Sequence, residues 1–126
     1  ADLTQELNDV FAPHHFEETN TTSSNTKNIR LVDAISDGLR QSMEKYDNSV
    51  IMGQDIAEYG GVFKITDGFV EQFGKDRVRN TPICESSIIE TAYGLSINGG
   101  IKSVVELQFS DFITSGFNPV INLLCS

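Results

Sequence analysis

One of the chain's 18 acidic residues stands where chemistry would want it. Glu85 lies in the run Arg79-Asn80-Thr81-Pro82-Ile83-Cys84-Glu85-Ser86-Ser87-Ile88-Ile89-Glu90. An extended stretch enters this run, Pro82 stiffens it, and a helix leaves it. Apolar or small residues flank the carboxylate on nearly every side. Burying a carboxylate is costly unless something pairs with it. An acid so placed can therefore hold or share a proton. The plainer alternative is an acid in the first turn of a helix, where the dipole favours negative charge.

Other polar residues carry weaker signals. Glu106 lies in an apolar strand and needs a partner if it is buried. Gln54, Asp55 and Glu58 read as solvated loop polars, Tyr59-Gly60-Gly61 as a turn, and Phe109 and Phe112 as core. Cys84 and Cys125 have no metal-ligand spacing and read as small buried hydrophobes. His14 and His15 read as surface residues. The sequence contains no GxGxxG, P-loop, nucleophile elbow, HExxH or CxxC, and no Gly-Asp-Gly followed by Asn.

These residues need elements to hold them. Leu3, Leu7, Val10 and Phe11 predict a short helix within 1–16, stopped by Pro13. Residues 17–27 contain no apolar residue and read as a flexible linker. Apolar residues at three- and four-residue steps predict an amphipathic helix over about 29–46. Ser49 to Gly53 is a buried strand. Residues 57–66 form a glycine-bearing loop. A short helix runs from an Asp67 cap to a Gly74 stop. Residues 77–81 are extended. Ser87 and Glu90 have capping-box spacing, and the helix after them is apolar almost all round, so it should be buried. Residues 103–107 form the next strand, and 109–121 a second buried helix, with Pro119 near its start or at a kink.

The alternation of helix and strand predicts an α/β fold with a parallel sheet and helices on both faces. Ligands in such sheets bind at the carboxyl ends of strands. Glu85, Gln54-Asp55 and Gln108-Phe109 each follow a strand and would meet at that edge. Residues 1–27 read as tail and linker, and 28–126 as the domain. The net charge of −9 argues against nucleic acid and against an anionic membrane surface as partners. No apolar run approaches the length of a membrane span and no signal peptide opens the chain, so a cytoplasmic location is expected.

Two stretches, "VDAISDGLRQSMEKYDNSVIMGQDIAEYGGVFKITDGFVEQFGKDRVRNTPICESSI" and "GGIKSVVELQFSDFITSGFNPVINLL", make residues 28–126 resemble the start of the β subunit of thiamine-dependent 2-oxo acid dehydrogenases. These are the E1 components of the pyruvate and branched-chain complexes. The resemblance implies a transketolase-like pyrimidine-binding fold, truncated before its end, and thiamine diphosphate with Mg²⁺ as cofactor. Glu85 matches the glutamate that contacts the aminopyrimidine ring and tunes its tautomer. Ile83 matches an apolar neighbour of the cofactor, and Phe112 the aromatic that stacks on the ring. The diphosphate and Mg²⁺ would be held by an E1 α subunit or domain, so no metal ligand is expected here. The front tail fits a protein in which α and β regions are fused. A lipoyl E2 would accept the acyl group, and a homo-oligomer is expected.

The sequence also departs from that pattern. Gln54 stands where many relatives carry an acid that has been linked to communication between two active sites. Ser86-Ser87 replaces a glycine-rich helix start. "ELQFSDFITSGF" looks more like the branched-chain enzymes. Two alternatives remain open. One is another transketolase-like enzyme using sugar phosphates, against which the "YGGVFKIT" loop argues. The other is a non-catalytic α/β interaction domain with no need for Glu85.

Overall fold

The computed structural model describes residues 2–3, 20 and 24–124. The helix expected within 1–16, the histidine pair, most of the 17–27 linker and Cys125 lie outside the described residues.

The first long helix, α1, spans Leu31–Lys45. Its apolar periodicity turns Met43 fully into the core, with Leu39 packed beside it. Leu31 and Ile35 stay exposed, so the buried stripe is confined to the carboxyl half. That half is pinned by Arg77, whose Nη2 donates to the carbonyls of Met43 (2.7 Å) and Tyr46 (2.8 Å). These carbonyls belong to the last turn of a helix, which lacks partners of its own.

Strand β1 (Ser49–Gly53) is central, with β2 (Val78–Asn80) and β3 (Lys102–Glu106) on either side, and all pairings are parallel. The register sets Gly53 opposite both Asn80 and Glu106. All three strands therefore finish level, at one edge. β3 starts and ends one residue earlier than expected. Ile51 faces the cluster of Met43, Ile56, Ala57, Phe69, Val70 and Val78, on the side of α1 and of α2 (Phe69–Phe73). Met52 faces Thr91 and Leu95 of α3 (Glu85–Gly99). Helices thus cover both faces, as alternation of side chains along a strand requires. α2 begins after Gly68 rather than at an Asp67 cap, and ends at Gly74.

Three expectations are corrected. α3 starts two residues before the anticipated capping box, with Cys84 at the cap position. Thr81 N–H donates to Gly53 O at 2.8 Å, prolonging the pairing beyond β2. Ser86 Oγ donates to Ser115 O at 2.6 Å and anchors the first turn of the helix. The helix is also far from buried: only Ile88 and Ile89 are, and Ile97 is exposed. The segment after β3 is not one buried helix. It forms a 3-10 helix (Ser110–Thr114), a short α4 (Phe117–Pro119) and wider π-type turns over Val120–Leu124. It breaks at Gly116, where a Cβ would come within 2.5 Å of Ile89 Cδ1. Pro119 sits in the first turn of α4, where its missing N–H removes no helical bond. Phe117 and Ile121 are exposed. Among the described residues no helix is long and apolar enough to cross a membrane.

Arg77 and Arg79 make a clean contrast. Arg77→Met takes the donor from the Met43 carbonyl, while that of Tyr46 keeps its bonds from Ser49 N and Oγ, and should cost about 1.5–3 kcal/mol of unfolding free energy. Arg79, whose only ion pair among the described residues is an exposed 3.6 Å contact with Asp76, should change stability by less than about 1 kcal/mol when replaced by Ala. Urea unfolding of both variants checks this.

Candidate functional site

At the level edge the chain leaves β1 as Gln54. Side chains alternate along a strand, so Gln54 points to the same face as Met52, toward α3. It is 5 % exposed. Its Nε2 donates to Glu85 Oε1 at 3.2 Å. Its backbone carbonyl accepts from Gln108 Nε2 at 3.4 Å. The residues that follow all three strands are thereby tied together. Gln54 is not the solvated loop polar its type alone implies. The missed signal was its place: it continues an apolar strand in step with a buried methionine.

Glu85 is half-buried. It is also the first residue of a 15-residue helix, where the dipole favours its charge. The two readings of this acid therefore coincide in space. Among the described residues, Gln54 is the only side chain that hydrogen-bonds the Glu85 carboxylate.

The other expected residues lie open to solvent. Ile83, between β2 and α3, is 83 % exposed. Phe112 is exposed as well, and meets Phe109 edge to face at 5.6 Å. Phe109 meets Phe63 of the glycine loop in the same way at 6.0 Å. Phe109 and Phe112 are therefore an exposed aromatic row, not core. The loop can close on itself because Gly60 has φ 79°, and a Cβ there would strike the Asp67 backbone at 2.7 Å. A cavity of about 670 Å³ opens between α3, β3 and the segment after it. Ile89, Tyr93, Val105, Leu107, Ile113 and Val120 line it, and neither Glu85, Ile83 nor Phe112 does.

Asp55 is exposed with φ 56°. Glu58 is exposed too. Its hydrogen bond and ion pair with Lys75 (2.8 Å), together with a bond from Asn80 Nδ2 (2.9 Å), hold its carboxyl below the usual range. Cys84 is exposed, against the expectation of a buried thiol. Its Sγ lies 3.2 Å from Ser87 Oγ, and hydrogen bonds from the Ser87 hydroxyl and backbone amide to the sulfur hold it below its ordinary range. Glu106 points to the opposite face, toward Gly61, where a Cβ would lie 3.6 Å from Oε1. The partner it needs is missing: its Oε2 is buried with no hydrogen bond among the described residues. Desolvation pushes its carboxyl pKa up. Among the described residues no three His, Cys, Asp or Glu side chains group as metal ligands.

Comparison with known proteins agrees with this architecture. A family model described as "Transketolase, pyrimidine binding domain" matches residues 27–124. The "Pyruvate dehydrogenase E1 component subunit beta" of Acholeplasma laidlawii is 41% identical over 93 residues, covering 74% of this chain and 28% of the relative. The "2-oxoisovalerate dehydrogenase subunit beta" of Bacillus subtilis is 38% identical over 94 residues, covering 75% and 28%. The "2-oxoisovalerate dehydrogenase subunit beta 2, mitochondrial" of Arabidopsis thaliana is 38% identical over 100 residues, covering 79% and 27%. The chain thus spans little more than a quarter of the length of the curated relatives it matches.

Glu106 yields a test of the electrostatics. An acid whose folded-state pKa is raised binds more protons in the folded than in the unfolded chain, so stability falls as pH rises from the unfolded value, about 4.3. The penalty is complete above the folded value. Glu106→Gln should therefore raise the melting temperature at neutral pH, and the gain should vanish below about pH 4. Melting curves across that range check it; a gain independent of pH would refute a desolvated charge as the cause.

Proposed function

We propose a function from one premise: this chain belongs to the transketolase pyrimidine-binding domain family. Its role is to supply the aminopyrimidine-binding half of a thiamine diphosphate site, within the E1 component of a 2-oxo acid dehydrogenase. The observation that carries this reading is the half-buried Glu85, bonded to Gln54 at the carboxyl edge of a parallel sheet.

The residues suit the group. A ring nitrogen needs a carboxyl within about 2.6–3.2 Å, and Glu85 offers one that is partly withdrawn from water. A flat heterocycle also needs an aromatic or apolar face. Phe112 presents an exposed ring at the same edge, and Ile83 an exposed aliphatic side chain. Stacking on such a ring adds about 0.5–1.5 kcal/mol beyond area burial. The cofactor, when bound, supplies the electron sink that decarboxylation of a 2-oxo acid requires. Glu85 holds or shares a proton at the ring nitrogen. Phe112 and Ile83 orient the ring and exclude water from one side of it.

The diphosphate and Mg²⁺ are assigned to a partner α subunit or domain. Support comes from the openness of the edge: with Ile83 83 % exposed, this chain offers one wall of a site whose opposite wall must come from elsewhere. The acyl group would pass to a lipoyl E2, and the working enzyme would be an oligomer. Relatives named for pyruvate and for 2-oxoisovalerate match at 38–41%, so the proposed substrate is the 2-oxo acid class.

Two measurements test the proposal. Isothermal titration of the isolated chain with thiamine diphosphate and Mg²⁺ should show weak binding or none, and tight binding would sink the half-site idea. In the full-length protein, Glu85→Gln should leave the circular dichroism spectrum unchanged and lower the decarboxylation rate by about 10²–10⁴-fold. Undiminished turnover would rule Glu85 out as the acid that serves the cofactor.

A further inference from the structure

We propose that Gln54 is the positioning residue for Glu85, holding its carboxyl in one orientation whether or not it carries a proton. This rests on the reading of Glu85 as the acid that meets the cofactor ring.

Glu85 stands at the start of a helix on an open edge, and among the described residues its carboxylate has one hydrogen-bonding side chain. Without that bond, nothing in the described structure fixes the turn of the carboxyl about its last torsion. Such sp³–sp² torsions are broad and loosely held. Gln54 is by contrast well anchored. It is 5 % exposed, and its carbonyl is held by Gln108. Thr81 N–H binds the preceding carbonyl, that of Gly53, at 2.8 Å. With Nε2 on Glu85 Oε1, the other oxygen, Oε2, is the one left to face a ligand.

The residue type matters. A side-chain amide presents a donor and an acceptor at the same end. It can donate to the ionised carboxylate and, turned over, accept from the protonated acid. A lysine could serve only the first state. An acid at this distance would repel Glu85 or compete for its proton. Glutamine is the neutral residue of the right length that stays bonded through both states, so the orientation of Glu85 survives a change in its protonation.

The test is a double-mutant cycle in the full-length protein, with Gln54→Met placed in the native and the Glu85→Ala backgrounds. Methionine keeps the length and the burial and removes the donor. Thiamine diphosphate affinity is read by calorimetry with Mg²⁺. Turnover is followed with pyruvate or 2-oxoisovalerate, whichever the protein consumes. With Glu85 present, Gln54→Met should weaken cofactor binding about tenfold, as expected for a hydrogen bond to a charged group. It should lower kcat to a similar degree while leaving the KM for the 2-oxo acid within about twofold. In the Glu85→Ala background, where no side-chain acceptor remains at that position, the same change should have no further effect on affinity. An equal loss in both backgrounds, or no loss in either, would show Gln54 to be packing alone and overturn the inference. Should the methionine variant fail to fold, Gln54→Asn, which withdraws the amide by one methylene, takes its place with the same outcomes. If the native protein binds no thiamine diphosphate, or Glu85→Gln behaves as native, the functional reading itself falls, and this inference with it.

Discussion

The level ending of three parallel strands is the constraint on which the rest depends. Gly53 is paired with Asn80 on one side and Glu106 on the other. Because the strands run the same way, whatever follows each of them emerges at one edge. Gln54, Glu85 and Gln108 are distant in sequence, yet the register brings them into hydrogen-bonding range. A shift of one residue in β1 would turn Gln54 to the other face, toward α1. The register is in turn secured by the apolar contacts of Ile51, Val78 and Phe69, and by Arg77, which ties β1 to the end of α1 through Ser49 O and the last carbonyls of the helix.

Shelter and openness are balanced at this edge. Glu85 is partly withdrawn from water and held by a buried amide. Ile83 and Phe112 are turned outward. Exposed apolar groups of this kind suit contact with further protein surface, which is what the proposed half-site requires. The apolar flank of α3 follows the same logic. Its composition calls for burial, yet its outer half lies open, and an apolar cavity remains between it, β3 and the segment after it.

Two polar side chains beside the sheet, Gln54 and Glu106, contrast with each other. Gln54 has its partner and joins an acid to the frame. Glu106, on the opposite face, has an oxygen without one. Burial raises its pKa, so it is held at a cost that Gln54 does not incur. Their side chains differ by little in size. What separates them is the face on which each projects and what the chain has placed there.

Much of this was legible in the residues. The apolar periodicities locate α1, β1 and the glycine stop of α2. Their alternation implies a parallel sheet with its ligand edge at the strand ends. Pro82 and the small residues beside Glu85 mark the joint where the acid stands. These features are local: spacing, propensity and caps act over a few residues, so a linear reading captures them. The helix start at Glu85, the break at Gly116, the burial of Gln54, the exposure of Phe109 and Phe112 and the missing partner of Glu106 are not local. Each is decided by an element remote in the chain, by Ser115 against Ser86, Ile89 against Gly116, or α3 against the end of β1. Pattern tells which side chains prefer to be buried. Only the packed structure decides which of them find a neighbour, because a neighbour is supplied by the tertiary arrangement and not by the sequence next to it.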